Sequence, residues 1–206
     1  LTITSNTSVV RAYNSVGGYE RRPVINAGGL DKPVVNVTNA SAGFSELELV
    51  ADPNEDGINQ SGGEILGMSD TVVEIDSSTA DSPVYGIRTD ATAGVDITDS
   101  TIFNGSAPKS DGEEQEQPET KPPDIEGVGL QVNSADDVIW VRGTDFNNLN
   151  TGIQTTTTTE EAELDGNNFA NIRSTAVRAK PGEIADTHEY DITENDFFNS
   201  GEGLVL

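Results

Sequence analysis

The chain has no cysteine, one histidine, one methionine, one tryptophan and only four lysines (Lys32, Lys109, Lys121 and Lys180). Without cysteine, disulfides cannot be what stabilises it. No Cys, Met or His cluster supports a metal-loading role. His188 stands without a Ser or Cys partner at suggestive spacing, so a nucleophilic triad is not supported. No apolar run approaches 18 residues and no segment is basic and amphipathic, so no part is expected to span or lie on a membrane. Lys and Arg are too few and scattered for phosphate contacts, which argues against nucleic acid as a partner. Arg21-Arg22, the one adjacent basic pair, reads as a turn.

Acid is abundant: 36 Asp and Glu against 11 Lys and Arg give a formal charge of −25. Low Lys with dispersed carboxylates suits solubility in molar salt, where a Debye length of about 3 Å screens self-repulsion. The composition predicts a halophilic source, with an ordinary acidic secreted protein as the alternative. A halophile's cytoplasm is also salty, so acidity alone does not place the chain outside a cell.

The strongest pattern is a four-fold echo. Val95-Asp-Ile97…Ile102-Phe-Asn104, Ile139-Trp-Val141…Phe146-Asn-Asn148, Ala162-Glu-Leu164…Phe169-Ala-Asn171 and Tyr190-Asp-Ile192…Phe197-Phe-Asn199 share one spacing. Apolar-x-apolar is strand periodicity. Short strands open each unit at Gly86-Ile87, Gly129-Leu130, Gly152-Ile153, Ala176-Val177 and Gly203-Leu204. Leu130 to Ile153 is 23 residues, Ile153 to Val177 is 24 and Val177 to Leu204 is 27. No single unit can bury its own apolar positions, but stacked units can. Three short strands per unit, with parallel neighbours about 4.8 Å apart, predict an all-β parallel β-helix of about seven to eight turns over 1–206. Residues 1–83 are its irregular early turns and 84–206 its regular ones. Val73-Glu-Ile75…Ala80-Asp-Ser82 aligns with the unit at Val95. Asn104, Asn148, Asn171 and Asn199 form a column suited to left-handed turns and amide bonds along the coil.

The Gly-Ile/Leu-x-Val/Thr strand, the apolar-x-apolar strand and the Asn-x-Phe corner (Asn167-Asn168-Phe169) resemble the right-handed parallel β-helix, or pectate-lyase-like, superfamily. That superfamily includes phage tailspikes and archaeal surface proteins. The resemblance is strong over 84–206 and weaker over 1–83, and it implies the right hand. Leucine-rich repeats have a similar period, but their L-x-x-L-x-L core is missing. Leu1 is not Met and Leu206 ends what reads as a strand, so a fragment of a longer chain is expected.

Some segments stand apart. Residues 105–127, acidic and Pro-rich, add about one insertion of twenty residues to the period and read as a surface loop. Asp52-Pro-Asn54-Glu-Asp56-Gly57 matches the first half of a calcium loop, but its closing acid is misplaced, so Ca²⁺ at Asp52, Asn54 and Asp56 competes with a polar turn. Sequons at Asn6, Asn36, Asn39, Asn59 and Asn104 permit glycosylation without establishing it.

Enzymes of the fold place acids and bases on an outer strand face. Here the outward positions are Arg88, Gln131, Gln154 and Arg178 on the first strand, and Asp96, Trp140, Glu163 and Asp191 on the second. Glu163 and Asp191 fall on adjacent turns at matched positions, which admits a hydrolase carboxyl pair. An Asp-rich solenoid also produces such pairs by chance. Arg178 and Lys180 are the candidate bases of a lyase, though no acid cluster surrounds them in the sequence. Asp136-Asp137 precedes a strand and reads as a turn. Trp140 is read three ways: stacking on a sugar, anchoring another subunit, or packing under the 105–127 loop. The expected function is structural and adhesive. It is a module of a halophilic surface or virion protein, extracellular, presenting Trp140, Gln131, Gln154 and Arg178 to glycan or to neighbouring subunits, with a trimer among the assemblies. The alternative is a polysaccharide lyase or glycoside hydrolase acting on acidic polysaccharide.

Overall fold

The computed structural model describes residues 1–10, 22–29, 31–77, 80–90, 94–105, 126–133, 138–156, 161–179 and 189–205. These residues wind into a parallel β-helix with three strands per turn. The first sheet stacks Thr2–Ile3, Val35–Thr38, Ile58–Ser61, Val84–Thr89, Gly127–Val132, Thr151–Thr155, Thr175–Arg178 and Glu202–Val205. The second stacks Thr7–Val10, Ala42–Ser45, Ile65–Ser69, Gly94–Thr98, Val138–Arg142, Glu161–Asp165 and Glu189–Thr193. The third stacks Val24–Asn26, Glu48–Pro53, Val72–Asp76, Thr101–Asn104, Asp145–Asn147, Asn168–Ala170 and Asp196–Phe198.

Alternation decides which side chains enter the core. In the second sheet Phe44, Met68, Ile97, Val141, Leu164 and Ile192 stand level in one inward column. The third sheet lines up Leu49, Val73, Ile102, Phe146, Phe169 and Phe197. The three rings stack with centroids 5.0 and 5.3 Å apart and planes within 8°. Rings at this separation are held by the coil spacing itself, and they fill the core continuously from turn to turn.

The column at the start of the first sheet must be small. A Cβ on Gly57, Gly86, Gly129 or Gly152 would lie 2.5 to 2.7 Å from the carbonyl oxygen of the next coil. The bend that opens each coil brings backbone onto backbone there, and Ile102, Phe146 and Phe169 press on the same positions. One inward column in the first sheet carries polar residues between Val37 and Val132: Gln60 and Thr89 are fully buried, and the Thr89 hydroxyl donates to Gln60 Oε1 at 2.8 Å. Gln60 Nε2 in turn donates to the Ala40 carbonyl at 2.9 Å, so the buried amide is satisfied.

The corner between the second and third sheets repeats with little variation. Glu46, Asp70, Asp99, Gly143, Gly166 and Glu194 all take left-handed backbone angles there. Thr71, Ser100 and Thr144 follow three of them, each hydroxyl donating to the carbonyl two residues earlier. Thr144 N–H donates to Asn167 Oδ1, and Asn167 N–H to Asn195 Oδ1, both at 3.0 Å. Side-chain oxygens thus catch N–H groups that the turn leaves without a strand partner.

Two readings of the sequence are revised. Val73-Glu-Ile75 does not match the unit at Val95: it lies in the third sheet, with Val73 level with Ile102, and Leu66-Gly-Met68 takes the place beside Val95 and Ile97. The asparagine column is only partly an amide ladder. Asn148, Asn171 and Asn199 are left-handed. Asn199 Nδ2 donates to Asn171 Oδ1 at 2.9 Å, whereas Asn171 donates to Asn147 and Asn148 to the Asn104 carbonyl. Asn104 is instead a strand residue whose Oδ1 accepts Ser77 N–H at 2.9 Å, and Gly105 makes the turn. Of the 105–127 insertion, 106–125 lies outside the described residues, and Gly127 already belongs to a strand.

Candidate functional site

The second sheet turns one apolar row into the core, so its other row forms a flat outer face. Down the middle of that face run Gly43, Gly67, Asp96, Trp140, Glu163 and Asp191, one residue per coil. Beside them run Ser45, Ser69, Thr98, Arg142, Asp165 and Thr193. The two glycines leave bare backbone, and the relief begins at Asp96 and Trp140.

Arg142 organises this face. Its Nε and Nη2 donate to Glu163 Oε1 and Oε2 at 2.8 and 2.7 Å, a two-pronged pair between adjacent coils. The same guanidinium lies 5.4 Å from the Trp140 ring centroid and 3.8 Å from Asp96 Oδ1. Asp96 Oδ1 is itself buried and makes no hydrogen bond. Trp140 is half-buried, and its indole N–H donates to Glu161 Oε1 at 3.3 Å. A guanidinium over an indole face is attractive in its own right, and the carboxylate pair fixes where it sits. The hydrogen bonds from Arg142 hold the Glu163 carboxyl below the ordinary carboxylate range, against its partial desolvation and with the help of the Arg142 charge.

Glu163 and Asp191 are level on neighbouring strands, as the period predicts, and Asp191 is exposed. The spacing did not single out Arg142, which makes the closest contacts to Glu163. Arg142 stands two residues from Trp140 on the same outer row, so alternation carried that signal.

On the first sheet Arg88, Gln131, Gln154 and Arg178 are level with one another. Gln131 is buried although it faces outward, and its amide donates to Asn133 Oδ1 at 2.6 Å. Asn133 donates to Asp90 and accepts from Thr156, both at 2.9 Å. Arg178 Nη2 donates to Thr175 Oγ1 at 3.1 Å. Arg178 lies on the first sheet, two strands further along the chain than Glu163 on the second, so these candidates do not share one face. Lys180, His188 and Asp136-Asp137 lie outside the described residues.

The calcium-loop residues have contacts of their own. Asp52 Oδ2 accepts Gly29 N–H, Asn54 takes a left-handed turn, and Asp56 Oδ1 accepts Tyr85 N–H at 2.9 Å. Burial raises the Asp56 carboxyl pKa, opposed by the Tyr85 N–H and by Arg88. Among the described residues no group of three or more His, Asp or Glu side chains is placed to hold a metal ion. No described helix is long and apolar enough to cross a membrane. Compared with known proteins, the chain matches no protein-family model, no curated protein and no solved structure.

Proposed function

We propose that this solenoid is a passive, adhesive module of an extracellular surface or virion protein from a halophile, and that it meets glycan through the outer face of its second sheet. The observation that carries this reading is Trp140, an aromatic ring on a flat outer face, held by Arg142 and flanked by hydrogen-bonding groups. Ring stacking with a polar surround is the chemistry by which a rigid β surface holds a sugar. The charge of −25 with few lysines supports the salt-rich setting. The resemblance to the right-handed pectate-lyase-like superfamily, tailspikes included, supports a role at a surface and the right hand of the coil.

The enzymatic alternative draws less support. A glycosidase acid needs a raised pKa, and Glu163 is shifted the other way with both oxygens engaged by Arg142. Arg178, the candidate lyase base, is on a different sheet.

Trp140 is the only tryptophan, so its fluorescence reports on the site directly. Titration with acidic and neutral polysaccharides in molar NaCl is expected to give a saturable change, and Trp140→Ala is expected to lose retention on the immobilised polymer. No saturable change with any polymer would remove the adhesive reading. Release of unsaturated or reducing ends, abolished by Glu163→Gln or Arg178→Ala, would replace it with the enzymatic one.

A further inference from the structure

Glu163 does to Arg142 what a ligand carboxylate would do. It stands on the neighbouring strand, level with Trp140, and receives the guanidinium through both its oxygens, at 2.8 Å from Nε and 2.7 Å from Nη2. Such paired bonds are how an arginine recognises a carboxylate. The other sides of the group are occupied too. Asp96 Oδ1 lies 3.8 Å from Nη1, and the guanidinium carbon lies 5.4 Å from the centroid of the Trp140 ring. Among the described residues Arg142 is the one basic side chain in the two outward rows of this sheet. Asp96, Glu163, Asp165 and Asp191 share those rows, and Glu161 accepts the indole N–H of Trp140.

A sugar acid arriving at Trp140 therefore meets a cation that is already paired. To reach Arg142 it must displace Glu163 and leave that carboxylate unpaired beside its own, so one charge-assisted pair is lost for each one gained. The exchange is weighted against the ligand, because Glu163 is already in place and gives up no translational freedom. The depressed Glu163 pKa keeps it anionic wherever an ordinary carboxylate is. A neutral sugar meets none of these obstacles. Its hydroxyls can donate to the exposed carboxylates of Glu161 and Asp191 while its C–H face stacks on the indole.

With the glycan reading of this face as premise, we propose that Glu163 determines its specificity: it fills the anion position on Arg142, so the face takes neutral sugars and turns away uronic acids, and removing the Glu163 carboxylate opens Arg142 to them. Glu163 acts by occupying Arg142 and needs no contact with the sugar.

Paired polymers test this: a 1,4-linked glucan, mannan and galactan, each before and after oxidation of C6 from hydroxymethyl to carboxylate, so that each pair shares one backbone. Binding is read in molar NaCl from Trp140 fluorescence and from retention on the immobilised polymer. The wild type is expected to bind a neutral polymer roughly tenfold or more tighter than its oxidised partner. In Glu163→Gln and in Glu163→Ala the ratio for that pair is expected to move roughly tenfold or more toward the oxidised polymer, with unchanged circular dichroism. Adding Arg142→Gln to Glu163→Gln is expected to abolish that gain, because no guanidinium remains to receive the uronate. A wild type that binds the oxidised member of a pair as tightly as the neutral one overturns the proposal and leaves the glycan reading standing. So does an affinity ratio that neither Glu163 substitution moves. Absence of saturable binding to every polymer, by wild type and variants alike, removes the glycan reading and this proposal with it.

Discussion

Arg142 grips Glu163 across one coil step with two parallel N–H···O bonds of 2.8 and 2.7 Å. The pair ties adjacent turns together on their outer face and fixes the guanidinium that covers Trp140. Because Glu163 is held below its ordinary pKa, the sign of its linkage is set. Its stabilisation is fully present above the unfolded carboxylate value and is lost as pH falls through the depressed folded value. Melting temperature against pH should therefore fall less steeply on the acid side for Glu163→Gln than for the wild type. Both residues are partly exposed, so the difference is expected to shrink in molar salt.

The stacked rings give a graded prediction. Phe169 is fully buried between Phe146 and Phe197, and Phe169→Ala leaves a cavity with rings on both sides. The expected loss is about 3–5 kcal/mol. Phe197→Ala removes a ring that is already partly in water and should cost clearly less. Denaturant midpoints measured in the same salt compare them, and equal losses would mean that the stack does not carry the core of these turns.

Asp56 carries the opposite linkage to Glu163. Its raised folded pKa means that folding favours the protonated acid. That contribution is present below the unfolded value and is lost as pH rises through the raised folded one. Asp56→Asn keeps an oxygen to accept Tyr85 N–H and carries no charge into the burial. The variant is expected to melt higher than the wild type near neutral pH, with the gain fading as pH is lowered. A lower melting temperature at neutral pH would show that the attraction to Arg88 outweighs the desolvation.

Much of this architecture was legible beforehand because solenoid registry is written as a period. Ile97, Val141, Leu164 and Ile192 share one column, and Phe146, Phe169 and Phe197 share another, since each coil repeats the same corner. Val73-Glu-Ile75 was misplaced for a physical reason. Apolar-x-apolar describes a strand in any of the three sheets, and only a large apolar residue after the corner tells them apart. The early turns lack that phenylalanine, so the pattern alone left two sheets open. The candidate site was half legible. Trp140, Glu163 and Asp191 follow from alternation, whereas the Arg142–Glu163 pair joins residues 21 positions apart and appears only once the coil register is known. The inward turn of the Asp56 carboxyl was also hidden, because the partner that draws it in is a backbone N–H 29 residues away.

The glycine column offers the sharpest test of that register. Gly129 sits where a Cβ would lie 2.6 Å from the Gly152 carbonyl and 2.7 Å from Phe146 Cδ1. Neither neighbour is free to yield: one is the backbone of the next coil, and the other is a ring locked in a stack. Gly129→Ala should cost about 1–3 kcal/mol by overpacking, despite the entropy that alanine saves in the unfolded chain. Gly67 is the matched control, since a Cβ there meets only the Gly43 Cα at 4.0 Å, on the outer face. Gly67→Ala is expected to be near neutral or stabilising. If denaturant midpoints put the two substitutions level, the coils are not packed as closely at Gly129 as this register requires.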